Sequence, residues 1–81
     1  MGKRNYLAEA LRLKAKIERL YNYGRHTGYK QATDHLDEIG NLMRSAVQSK
    51  HGENHVPLIH SIYKEMQQLM DEWGKEDAKN G

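Results

Sequence analysis

Three stretches of this chain carry the same spacing of apolar side chains. Tyr6, Ala10, Leu13, Ile17 and Leu20 advance by 4, 3, 4 and 3 residues; Ala32, Leu36, Ile39, Met43 and Ala46 repeat the pattern, and so do Ile59, Tyr63, Met66, Met70 and Trp73. Steps of three and four return to one side of a helix with about 3.6 residues per turn, so each stretch reads as an amphipathic helix. Nowhere do β-branched and aromatic residues alternate with period two, as a half-buried strand requires. The spacing predicts an all-α protein.

Glycine and polar residues mark the breaks. Asn22 to Gly28 holds two glycines, which places Gly24 at the end of the first helix and Thr27 as the cap of the second. Ser49 to Asn54 makes the second break, with Asn54 as a candidate cap and Pro57 in the first turn, where its missing N–H removes no bond. The predicted helices run over roughly 3–23, 28–49 and 55–73, in one domain spanning 1–81, with 75–81 a frayed polar tail. Short turns make consecutive helices antiparallel.

At 100° per residue the apolar arc of the first helix covers about half its circumference. Leu7 and Leu11 extend it on one flank, beside Lys14 and Glu18. Leu58, Ile62 and Leu69 widen the third arc in the same way, while the second is narrower, centred on Leu36, Ile39, Met43, Ala32, Ala46 and Val47. An antiparallel three-helix bundle accommodates all three arcs. A chain of 81 residues has a small core, and a second copy covering the Leu7 and Leu11 flank would give a dimeric bundle instead.

Composition excludes several classes. The chain has no cysteine, so disulfides, thiolate metal sites and a cysteine nucleophile are out, which fits a reducing cytoplasm. No apolar run reaches the length of a membrane span or of a signal-peptide core. Charge is divided along the chain: residues 1–30 carry eight basic and two acidic side chains, the remainder five basic and nine acidic. Within the basic segment, Arg12, Lys16 and Arg19 align on one exposed line that ends at Tyr23. Such a row could follow the phosphates of a nucleic acid, with the tyrosine stacking on a base, or could simply be a solvated face.

Chemistry has little to stand on. His51 and His55 are four apart around Glu53, but Gly52 and Pro57 place them in a loop or at a helix start rather than on one helical face, so no metal site and no cofactor is expected. His35, at the edge of the second apolar face, reads as a packed, hydrogen-bonded side chain. Asp37-Glu38 and Asp71-Glu72 are adjacent pairs, which a helix splays about 100° apart, and no serine is spaced for a triad. No catalytic residue is expected.

The run Ile62 to Trp73 resembles, in its apolar spacing, the second helix of the small two-helix aspartyl-phosphate phosphatases of sporulating bacteria. The resemblance covers twelve residues. The serine and aspartate that mark that family fall here on Tyr63 and Gln67, so it implies a helical hairpin without the family's functional residues, and no family is assigned.

The expectation that follows is a small helical protein-binding module, a regulator, inhibitor or adaptor, whose partner surface is the flank of Leu7, Leu11, Lys14 and Glu18. The alternative is a nucleic-acid-binding accessory protein using Arg12, Lys16, Arg19 and Tyr23.

Overall fold

The structure, a computed structural model, describes residues 5–24, 27–50 and 52–80, the last four of these by their backbone alone. It contains α1 (Tyr6–Tyr23), α2 (Tyr29–Val47), a single 3-10 turn (Glu53–His55) and α3 (Val56–Asn80), packed as an up-down-up three-helix bundle. Among the described residues there is no strand.

Asn5 starts α1. Its extended backbone (φ −98°, ψ 92°) turns the side chain back so that Oδ1 accepts from the Ala8 N–H at 3.0 Å, filling one of the orphan donors of the first turn. The helix therefore begins at Tyr6, later than the predicted residue 3, and residues 3 and 4 lie outside the described residues. Gly24 ends α1 as expected, its N–H donating to the Leu20 carbonyl at 2.7 Å.

Thr27 does not cap α2. The N-cap is Gly28, without a side-chain hydrogen bond, while the Thr27 N–H is turned back onto the Gly24 carbonyl at 3.0 Å. Closeness of the two helices explains the glycine: a Cβ at Gly28 would stand 2.8 Å from the Gly24 carbonyl oxygen and 3.1 Å from Leu20 Cβ. At its other end α2 stops at Val47 rather than 49, because the Gln48 and Ser49 N–H groups tighten onto the Ser45 and Ala46 carbonyls at 3.2 and 3.1 Å.

Gly52 makes the second turn possible. A Cβ there would lie 2.8 Å from Tyr6 Cδ2 and 2.9 Å from Ala46 Cα. Asn54 sits inside the following 3-10 turn and is not a cap; α3 starts one residue later than predicted, with Pro57 in its first turn. Nor does α3 end at Trp73-Gly74, for it continues to Asn80. Glycine lowers helix propensity by about 1 kcal/mol relative to alanine, but here Gly74 admits the Tyr29 hydroxyl, which would stand 3.2 Å from a Cβ. One turn after Trp73, Glu76 accepts a hydrogen bond from the Tyr21 hydroxyl at 3.2 Å. Packing keeps the chain helical past the glycine.

The core follows the predicted spacing closely. Ala10 and Ile17 of α1, Ala32, Ile39 and Ala46 of α2, and Ile59 and Trp73 of α3 are wholly enclosed; the three alanines let the helix axes approach, and the larger side chains fill the space between them. Trp73 is gripped by Tyr21 and Tyr29, both edge-on with centroids at 5.3 Å, the favoured arrangement of aromatic quadrupoles. Two residues of α2 depart from expectation. Leu42, outside the expected spacing, is buried, and Val47, placed within it, is 57% exposed. Gly40 lies against the Tyr63 ring and Gly74 against Tyr29, a register that sets Val47 level with the first residue of α3. Among the described residues no helix extends beyond that point to cover it.

Candidate functional site

Two contacts set the relation of α1 to α3. Lys14 Nζ lies 3.4 Å from Glu65 Oε2, and further up Tyr21 packs on Trp73. Residue numbers rise together along both helices, so α1 and α3 run parallel and share a seam. Leu7 is seven residues before Lys14, and Leu58 is seven before Glu65; the two leucines therefore sit at one level near the start of both helices.

Along this seam apolar surface reaches solvent. Leu11 is 49% exposed and Leu58 52%, while Leu7 is half-buried and packs on the core. Above them Lys14 is shared between Glu65 and Glu18, whose Oε2 is 3.7 Å away one turn along α1. A shallow groove of about 200 Å³ continues upward, floored by Met66 and Leu69 and walled by Glu18, Glu65, Gln68 and Glu72. The flank picked out from the sequence thus lies at the α1–α3 seam, with Leu11 outermost and Lys14 tied into a charge cluster. The sequence reading placed Leu58 within the third helix's buried arc, because periodicity identifies a face without saying which neighbour covers its edge.

The other side of α1 faces α2. A groove of about 410 Å³ runs between them, with Arg12 and Lys16 on one wall and Glu38, Asn41 and Ser45 on the other; Glu9 and the buried Leu13 and Leu42 complete it. Two cations and two carboxylates share this groove, so the field along the basic row is mixed. Arg19 is exposed further along α1, and Tyr23 at its end is 87% exposed.

The described histidines are dispersed. His35 is half-buried, and its Nδ1 has no hydrogen-bond partner, contrary to the expectation; Glu38 Oε2, one turn along α2, stands 3.7 Å away, beyond hydrogen-bond range. His55 lies in the 3-10 turn and His60 on the exposed side of α3. His51 and His26 lie outside the described residues. Among the described residues no three His, Asp or Glu side chains gather as a metal ion would need, and no helix is long and apolar enough to cross a membrane.

Fold and surface together define a small all-α three-helix bundle with an apolar, charge-edged seam. Comparison with protein families, curated proteins and solved structures returns no match to this chain.

Proposed function

We propose that this chain is a protein-binding module, a regulator, inhibitor or adaptor that works in the cytoplasm by occupying a partner's surface and has no chemistry of its own. The observation that carries the reading is the pair of half-exposed leucines, Leu11 and Leu58, on one seam beside the Lys14, Glu18 and Glu65 cluster. Apolar side chains edged by charge are the anatomy of a transient interface. The lack of cysteine supports a reducing compartment.

Leu11→Glu combined with Leu58→Glu tests it. Both side chains already reach water, so far-UV circular dichroism should stay helical while complex formation, read by light scattering and affinity capture, is lost. Complexes that survive both substitutions overturn the proposal.

A second reading rests on Tyr23, whose exposure at the end of the row of Arg12, Lys16 and Arg19 suits base stacking. It predicts DNA or RNA binding that falls with salt and with alanine at the three cations. Absence of any shift at low salt would end it.

A further inference from the structure

Two lines of side chains flank the α1–α3 seam, and both change from leucine to glutamate in the same direction. Leu11 and Glu18 are a heptad apart on α1; Leu58, Glu65 and Glu72 follow one another by heptads on α3, a spacing that returns to within about 20° of the same face. Lys14 beside Glu65 sets the two lines level, so the leucines stand together at the lower end and the carboxylates together above. Glu18, Glu65 and Glu72 wall the groove over Met66 and Leu69. Among the described residues, the cation within ion-pair distance of them is Lys14, shared between Glu18 and Glu65, while Glu72 has no such partner. Arg12 and Lys16 open onto the α1–α2 groove instead. The chain as a whole carries a net charge of +2, so the acidic excess belongs to this seam and not to the protein at large.

We infer that the occupant of this seam is a basic amphipathic helix of another protein, an inference that rests on reading the seam as a protein-binding surface. Leu58 to Glu72 is two heptads, about 21 Å of α3, so a helix of about 14 residues lies along it. Its apolar side chains cover Leu11 and Leu58, each about half in water without it. Its lysines or arginines, further along the same face, meet Glu18, Glu65 and Glu72. Charge selects this partner. Three carboxylates against one ammonium repel an acidic peptide or a nucleic acid, and a second copy set seam to seam would double the acidic excess. A small cation alone would leave the leucines in water.

Fluorescence anisotropy tests the assignment with labelled helical peptides of about 14 residues, leucine along one half of a face and lysine along the other. The leucine–lysine peptide should bind the native chain, more weakly as salt rises, and its counterpart with glutamate for lysine should not bind. Glu18→Gln with Glu65→Gln and Glu72→Gln should weaken binding by at least about tenfold. So should Leu11→Glu with Leu58→Glu, although it adds negative charge, because it removes the apolar contact. Asp37→Asn with Asp71→Asn takes away exposed carboxylates that do not line the groove and should change nothing. An equal loss in that control, or equal binding of the glutamate peptide, overturns the inference. The comparison of the two peptides on the native chain stands even if a variant loses helicity. Self-association of the native chain that Leu11→Glu abolishes gives the seam to a second copy and also overturns the inference. If neither peptide binds, yet Leu11→Glu with Leu58→Glu removes a complex with a different protein, the basic helix falls and the protein-binding reading stands.

Discussion

The two ends of the α1–α3 seam use large side chains in opposite ways. At the upper end Trp73 is wholly enclosed by Tyr21 and Tyr29, and the Tyr21 hydroxyl reaches Glu76. At the lower end Gly52 brings the chain tightly against Tyr6 and Ala46, yet Leu11 and Leu58 on the outside are left about half in water. Aromatic side chains from three helices converge on one point above, so the chain satisfies itself there. Below, Leu11 and Leu58 lie outside the packed core, and among the described residues no further helix covers them.

The largest way to break this contrast is Trp73→Ala. Removing a fully buried indole from between two rings should cost about 3–5 kcal/mol, enough in a domain this small to remove most of its stability. Thermal unfolding followed at 222 nm should show a greatly lowered or absent transition. Gly52→Ala probes the tight part of the lower end. Its new Cβ would press on the Ala46 backbone, and an overpacked site of this kind loses about 1–3 kcal/mol, or a fall in Tm of about 4–8 °C per kcal/mol.

Tyr21→Phe is a finer cut at the upper end. It keeps the ring on Trp73 and deletes the bond to Glu76, so a loss of about 0.5–1.5 kcal/mol is expected in urea titration. Leu11→Ala should be the smallest of the four, within about 0.5 kcal/mol of the native chain, provided it is measured at a concentration where the chain is monomeric. A loss of core size at Leu11 would show that the two ends are not different in kind. Binding of a partner at the seam, by contrast, should respond more strongly to Leu11 than to Tyr21, which sharpens the same comparison from the side of binding.

Much of the bundle was legible in the residues. The 4-3-4-3 spacing named Ala10, Leu13 and Ile17, then Ala32, Leu36 and Ile39, then Ile59, Met66, Met70 and Trp73, all of them buried. Pro57 fell in the first turn of α3 and Gly24 at the end of α1, as their places in the chain suggested. Boundaries that depended on contacts between elements were not legible. Gly28 replaced Thr27 as a cap because Leu20 crowds the turn, and Gly74 did not stop α3 because Tyr29 packs into the space it leaves. Of the candidate surface, Leu7, Leu11, Lys14 and Glu18 could be grouped from one helix alone. Leu58 and Glu65 belong with them only through the parallel register of α3, which no spacing within α1 encodes.

By itself, then, the sequence determined an all-α chain of three amphipathic helices, because side-chain periodicity along a helix is a local property set by the geometry of the turn. Only the tertiary structure decided which helix covers which flank. It set Val47 level with the first residue of α3 and exposed, carried α3 on to Asn80, and brought Lys14 of α1 level with Glu65 of α3. These depend on the register between elements distant in the chain, and register follows from how side chains of different helices fit together rather than from their order in any one of them.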